Sequence, residues 1–182
     1  MKIIYKRYFV ILLFILLTAL ISGCPDRNQS GDIGGQNILT DDEHKVFEQI
    51  NEYRLSKGLG ELIVDERIVK QARSHSKEMA DGKVPLGHSG FEGRVSATNI
   101  NPQGAGENVA DMKGYKDPVT VTVQGWIKSE EHRRNIEGNF NITGIGVVKN
   151  QEDVYYFTQI FMLAQQNQAQ SKGGWDLSWL QF

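Results

Sequence analysis

The stretch TGIGVVKNQEDVYYFTQIFML, residues 143–163, decides the fold class of this 182-residue sequence. It holds two runs rich in β-branched and aromatic residues, TGIGVVKN and DVYYFTQIFML, which a short polar turn at 150–152 joins. Such a pair predicts an antiparallel β-hairpin. Because side chains alternate along a strand, Tyr156, Thr158 and Ile160 are expected on one face of the second strand.

Two amphipathic helices are predicted upstream of the hairpin. Thr40 and Glu43 have the spacing of a capping box, and the apolar stripe that follows predicts a helix over 41–57. A second stripe predicts another helix, with Gly82 as its stop. His75 lies on this second stripe, and we interpret it as a packing residue rather than a ligand.

The segment DPVTVTVQGWIKSEEH, residues 117–132, fits two structures. Its alternating valines are typical of a strand, whereas Asp117 followed by Pro118 is typical of a helix start. The pattern leaves both open and favours the helix slightly. With a further strand-like stretch at GENVADM, 106–112, the order of elements predicts an α+β domain whose helices cover an antiparallel sheet.

The N-terminus carries an export signal and is excluded from the predicted fold. Three basic residues within the first seven precede an apolar run that stops at Cys24, as in a signal peptide. A transmembrane anchor is the alternative, but the run is slightly short and lacks basic stop-transfer residues. Because ISGC at 21–24 resembles a bacterial lipobox, we predict removal of 1–23 and lipidation of Cys24. The protein would then be anchored to a bacterial membrane and face the periplasm or the cell exterior.

The composition excludes several kinds of site and partner. Cys24 is the only cysteine, so a disulfide, a zinc–thiolate site and a cysteine nucleophile are excluded. Lys plus Arg is 20 and Asp plus Glu is 22, and no face is obviously basic, so nucleic acid is not expected as a partner. We predict a tether over 24–39, a domain over 40–165, and a linker with an apolar tail over 166–182. The tail is expected to pack on the domain or to bind a partner.

Polar residues that suit a functional site occur in two stretches of the domain. Gly104 and Gly106 allow close backbone approach just before a strand, and Glu107 follows them directly. On a continuous helix, Ser129 and His132 would share a face because they are three residues apart.

Four motifs in this order resemble the CAP superfamily (SCP domain), which comprises cysteine-rich secretory, antigen and pathogenesis-related proteins. The match is closest to the bacterial branch and covers about residues 41–164. The motifs are GHSGF (87–91), GAGENVA (104–110), GWIKSEEHRRNI (125–136) and YYFTQIF (155–161). The resemblance implies a three-layer α-β-α sandwich with a mostly antiparallel central sheet, and it makes 118–129 a helix.

The resemblance also implies a cleft lined by two histidines and two glutamates, of which this sequence keeps half. His88 matches the first histidine, and Glu107 matches the glutamate of the GEN motif. Ser129 stands at the second glutamate and Tyr156 at the second histidine. His132, one turn further along the helix, is typical of the bacterial branch and is expected to face the cleft. The alternative is that His132 only ties the helix end to the next loop.

An incomplete tetrad favours a non-catalytic module that binds a small ligand, a lipid or a protein partner. The alternative is a metal-assisted hydrolase or peptidase, in which His88 and His132 hold zinc and Glu107 acts as base. A Ser129–His132 nucleophile pair is disfavoured, because side chains three apart on a helix point in parallel. A third reading is an envelope structural protein without a ligand.

Overall fold

Residues 38–165 are described by a computed structural model. Within this range the elements follow in the order α1 (Asp41–Ser56), β1 (Ile63–Val64), α2 (Glu66–Ala80), α3 (Phe91–Ala97), β2 (Gly104–Lys113), α4 (Pro118–Lys128), α5 (Glu130–Ile136), β3 (Ile142–Lys149) and β4 (Val154–Leu163). The predicted signal peptide, lipidated Cys24, most of the tether and the tail lie outside the described residues. No helix within 38–165 is long and apolar enough to cross a membrane.

The strands form one sheet in the order β1-β3-β4-β2, in which only the short β1 pairs in parallel. This confirms the mostly antiparallel sheet and the hairpin of β3 and β4. The side chain of Asn150 closes the hairpin turn by accepting from the backbone N–H groups of Glu152 and Val154. Strand β1 was not predicted, because two residues are too few to show a periodic pattern.

Helices cover both faces of the sheet. One apolar core lies between the sheet and α1, α4 and α5, and a second lies between the sheet and α2. Residues of β4 alternate between these cores, with Phe157 and Phe161 in the first and Ile160 and Met162 in the second. The predicted alternation along β4, and with it the α-β-α layering, is therefore observed.

Helix α2 approaches β3 closely at two glycines. A Cβ on Gly144 would lie 2.3 Å from the backbone nitrogen of Val69, and one on Gly146 would lie 2.4 Å from the carbonyl carbon of Ala72. A side chain at either position would push α2 off the sheet. His75 in α2 is fully buried, in agreement with its interpretation as a packing residue.

The ambiguous segment after Asp117 is helical, and the reason its valines alternate is visible. Asp117 caps α4 by accepting from the backbone N–H of Thr120. Val119 and Val123 are each 1% exposed and fill the first core, one helical turn apart, whereas Val121 is half-buried. The alternation therefore reflects a helical stripe with one extra valine beside it.

Two local expectations were wrong. The helix does not continue through Ser129, whose backbone is extended (φ −78°, ψ 125°) and separates α4 from α5. Gly104 and Gly106 do not precede β2 but lie within it. Both errors have one cause, since backbone breaks and strand starts are set by tertiary packing more than by local residue preferences.

Candidate functional site

Glu107 is the buried centre of the polar cluster on β2. It lies opposite Ile160 of β4, and therefore on the sheet face that α2 covers. Arg94 of α3 binds its carboxylate with two hydrogen bonds, from Nε to Oε2 at 2.9 Å and from Nη2 to Oε1 at 2.7 Å. The side chains of Arg94 and Glu107 are 9% and 1% exposed. A carboxylate buried this deeply requires such a partner, because an unpaired buried charge is strongly destabilising.

His88 extends the cluster toward solvent from the loop before α3. Its Nδ1 lies 3.0 Å from Oε1 of Glu107. Because a carboxylate only accepts, Nδ1 carries the proton and donates it. This contact fixes the tautomer of the ring and leaves Nε2 as a lone-pair acceptor. The His88 side chain is 55% exposed, so Nε2 is available to a ligand.

His132 lies on the other side of β2, in α5. Its Nδ1 is 3.0 Å from the hydroxyl oxygen of Ser129, and its ring lies against that of Trp126, with 6.3 Å between the ring centroids. The expectation that Ser129 and His132 point in parallel was wrong, because the extended backbone at Ser129 turns its hydroxyl toward the ring. Burial lowers the pKa of His132 below its ordinary value of 6.5, His88 lowers it further, and Glu131 partly opposes the shift.

Two asparagines attach α5 to β2 and hold His132 in place. Asn108 donates to the backbone carbonyl of His132 at 3.1 Å. Asn135 donates to the carbonyl of Glu107 at 3.0 Å and to Oδ1 of Asn108 at 2.8 Å. A Cβ on Gly106 would lie only 2.9 Å from Oδ1 of Asn135, so this attachment also requires a glycine in the strand. The His132 backbone is thus attached to β2, while its half-buried ring bonds Ser129 and packs on Trp126.

The two histidines approach each other across β2, close enough for a charge on His88 to lower the pKa of His132. Zinc binding by His88 and His132 stays a prediction. Residues 38–165 contain no group of three His, Cys, Asp or Glu side chains that could hold a metal ion, so Glu107 does not join the two histidines as a third ligand. The physical reason is that Arg94 and His88 occupy both oxygens of Glu107. The Glu107 carboxylate is therefore paired with Arg94 and His88, while the His132 ring contacts Ser129 and Trp126.

Tyr156 is not brought to this cluster. The strand register places it opposite Asp111, four residues along β2 from Glu107. Four residues of strand correspond to roughly 13 Å. Tyr156 is half-buried on the same sheet face as Glu107, toward the opposite end of β2.

The sequence interpretation assigned neither Arg94 nor Asn135 to the site. A signal for Arg94 was present, because it is the only Lys or Arg between His88 and Glu107. A glutamate directly before an apolar strand segment needs a nearby cation if its side chain is buried. For Asn135 the sequence offers no comparable signal, since its partners are backbone and amide oxygens brought close only by the fold.

Comparison with known proteins identifies the family and supports the fold. The profile of the CAP family, described as the cysteine-rich secretory protein family, matches residues 47–161. The chain belongs to this family. Among curated CAP relatives, the YkwD protein of Bacillus subtilis (strain 168) is 39% identical over 114 residues, which is 59% of this chain and 43% of that protein.

Two solved CAP-like structures show the same fold. An extracellular protein with an SCP domain from Bacillus anthracis str. Ames is 28% identical, with a TM-score of 0.58 over 67% of this chain and 40% of that one. An outer surface protein from Borrelia burgdorferi is 18% identical, with a TM-score of 0.61 over 69% of this chain and 95% of that one. More distant matches include NaASP2 with Zn²⁺ and manganese-bound Ac-ASP-7, with TM-scores of 0.47 and 0.44.

The chain spans less than half of the two Bacillus proteins, 43% and 40% of their lengths. What the comparisons establish is the family and the fold.

Proposed function

We propose that this protein is an exported, lipid-anchored CAP-domain module that binds a small ligand, a lipid or a protein partner in the cleft of His88, Glu107 and His132, without catalysing a reaction on it. The main support for the proposal is that the Glu107 carboxylate is buried and already hydrogen-bonded within the protein. In the hydrolase alternative Glu107 would be the general base, and a base needs a lone pair that the substrate can reach. Here Arg94 and His88 occupy both of its oxygens, and its side chain is 1% exposed.

The Ser129–His132 pair supports the same conclusion. A hydroxyl within hydrogen-bond distance of an imidazole is the first requirement of nucleophilic catalysis. The second is a group that orients the base through its other ring nitrogen. Within residues 38–165 the Nε2 atom of His132 has no hydrogen-bond partner, since the ring contacts are Ser129 through Nδ1 and the face of Trp126. The pair is therefore an anchored imidazole rather than an assembled catalytic dyad.

A hydrolysis assay tests this proposal. The full-length chain is incubated with a fluorogenic ester panel and a fluorogenic peptide library, beside its Ser129→Ala and Glu107→Gln variants. We expect no turnover above that of the variants. Turnover that either substitution removes, while the variant keeps its fold by circular dichroism, would establish an enzyme and overturn the proposal.

A divalent ion is a second candidate ligand, and one feature of the cleft favours it. His88 and His132 are both held through Nδ1, which leaves both Nε2 atoms for a ligand. A carboxylate behind a ligating histidine is common in metal sites. Two imidazoles completed by water would bind Zn²⁺ weakly, and only when both rings are unprotonated.

Thermal unfolding with Zn²⁺ checks this candidate. Zn²⁺ should raise the melting temperature of the wild type, and either His88→Ala or His132→Ala should abolish the rise. His44→Ala is the matched control, because His44 lies on α1 beside Glu48 with 47% of its side chain exposed. If all three variants respond to Zn²⁺ as the wild type does, the cleft is not the metal site.

Export and anchoring rest on the first 24 residues of the sequence, and the extracellular description of the Bacillus anthracis relative supports export. Cys24→Ser should move the protein from the membrane to the soluble fraction of a bacterial host. Intact mass should show diacylglycerol on Cys24 of the wild type. An unmodified Cys24 in membrane-bound protein would refute lipid anchoring while leaving the cleft proposal standing.

A further inference from the structure

A second, open groove lies between α2 and α3, next to the His88–Glu107 side of the cleft, with which it shares Arg94. Its volume is about 450 Å³, within the usual range of small-molecule sites. Helix α2 contributes Gln71, Ser74 and Glu78, which recur at helical spacing along one side, and the opposite side carries Ser89 and Gly93. The groove is on the sheet face away from Ser129 and His132, because α4 and α5 pack on the other face.

The polar side chains of this groove have unused hydrogen-bonding capacity. Within residues 38–165, the side chains of Gln71, Ser74, Glu78 and Ser89 form no hydrogen bond or ion pair with the rest of the protein. They offer an amide, two hydroxyls and a carboxylate. Polar side chains that converge on a concave surface without mutual bonds are the usual means of orienting a ligand.

His75 adds an unpartnered acceptor just beneath the groove floor. Its Nε2 lies 2.8 Å from the carbonyl oxygen of Gly87, so Nε2 carries the proton and Nδ1 of the neutral ring is an acceptor. The ring is fully buried, and Nδ1 has no partner within the described residues. A buried polar atom left without a partner is rare, and it calls for an explanation.

Gly93 keeps the groove open at a position where the fold does not require glycine. It lies inside α3, where glycine is among the least favourable residues. Its φ is not in the left-handed region, and an added Cβ would meet nothing within 4 Å. Neither backbone conformation nor packing explains the residue, whereas an unobstructed groove does.

The charges of the groove select the class of ligand. Among the described residues that line it, the one cation is Arg94, which is fully engaged with Glu107 and with the carbonyl oxygen of Ser89. The carboxylate of Glu78 remains uncommitted, so an anionic ligand is repelled. Acceptors predominate, and they match a ligand that presents several O–H or N–H donors without negative charge. A peptide would gain little here, because the groove lies between helices and offers no strand edge.

We propose that the α2–α3 groove is a binding site for a neutral sugar unit of a glycan. Its hydroxyls would donate to Glu78 and Gln71 and exchange hydrogen bonds with Ser74 and Ser89, above the buried His75 ring. The site goes beyond the proposed function of the cleft, and it stands or falls independently.

Calorimetric titration of the full-length chain, in a detergent without a sugar headgroup, tests the proposal. The probes are three neutral trisaccharides: cellotriose, maltotriose and chitotriose. At least one should bind saturably, and Gly93→Leu should weaken that binding at least about tenfold, since the side chain fills the groove. Gly125→Leu is the matched control, because Gly125 is also an exposed helical glycine whose Cβ would meet nothing within 4 Å, but it lies in α4. That variant should bind as the wild type does.

Two further variants cover the case in which Gly93→Leu fails to fold. Gln71→Ala and Glu78→Ala remove side chains that have no partner within residues 38–165, and each should weaken binding several-fold. His132→Ala should leave sugar binding unchanged, which separates this site from the α5 side of the cleft. The proposal is overturned if none of the three sugars binds, if the groove variants bind like Gly125→Leu, or if trilysine displaces the bound sugar.

Discussion

The two sides of strand β2 carry polar groups in opposite states. On the α2–α3 side, the Glu107 carboxylate is buried and saturated by Arg94 and His88. On the α5 side, the half-buried imidazole of His132 is held through one nitrogen only. The difference is that the carboxylate is paired within the protein, whereas Nε2 of each imidazole has no hydrogen-bond partner within residues 38–165.

The comparison predicts its largest effect for removal of Arg94. Arg94→Met leaves the Glu107 carboxylate buried without its cation, which should cost about 3–5 kcal/mol of unfolding free energy. Urea denaturation measures this loss. Arg134→Met is the matched control, because Arg134 is exposed on α5, and it should change stability by less than about 0.5 kcal/mol.

A double variant sharpens the test. Arg94→Met leaves the Glu107 carboxylate charged and unpaired, and adding Glu107→Gln removes that charge. The double variant should therefore lose less unfolding free energy than the sum of the losses in the two single variants. Strict additivity, or a loss below about 1 kcal/mol for Arg94→Met, would mean that the carboxylate is not held as described.

A smaller effect is expected where α5 joins β2. Asn135→Ala removes two hydrogen bonds and leaves the carbonyl of Glu107 and Oδ1 of Asn108 without their donor. The expected loss is about 2 kcal/mol in the free energy of unfolding. Asn139→Ala, at an exposed loop position nearby, should be close to neutral. Equal losses in the two variants would contradict a specific role for Asn135.

The smallest effect concerns pH. Because the pKa of folded His132 lies below the ordinary 6.5, the unfolded chain binds a proton here more readily than the folded one. The contribution of His132 is therefore fully present above pH 6.5 and is lost as the pH falls through 6.5 toward the lower folded value. Urea denaturation between about pH 8 and pH 5 should show a shallower decline for His132→Gln than for the wild type. Parallel curves would place His132 in an unperturbed environment.

The sequence alone correctly predicted the helices and strands whose signals lie within a short stretch of residues. The capping box of Thr40 and Glu43 formed as predicted, and the alternation in β4 identified its two faces. The family resemblance identified the segment that contains the valines at 119–123 as a helix. The spacing of these valines by itself fits a strand or a helix and favours the helix only slightly. Helix α3 was missed because FEGRVSA has seven residues, one glycine and no apolar stripe of useful length.

The site was predictable only in part. His88 and Glu107 were correctly paired through family motifs, and they do contact each other. Arg94, Asn135 and the break at Ser129 depend on contacts between segments far apart in sequence, which a local pattern does not encode. For the same reason the sequence did not show that Glu107 is already paired, since its partner Arg94 comes from a helix that was not predicted.

Site-resolved nitrogen-15 NMR of the histidine rings during a Zn²⁺ titration tests the central claim most directly. The account predicts that the Nε2 signals of His88 and His132 move together and saturate with one apparent affinity. The Nδ1 signal of His88 should keep the signature of a proton donated to Glu107. Movement of only one ring, of neither, or loss of the Nδ1 proton from His88 would contradict a locked carboxylate flanked by two available imidazoles.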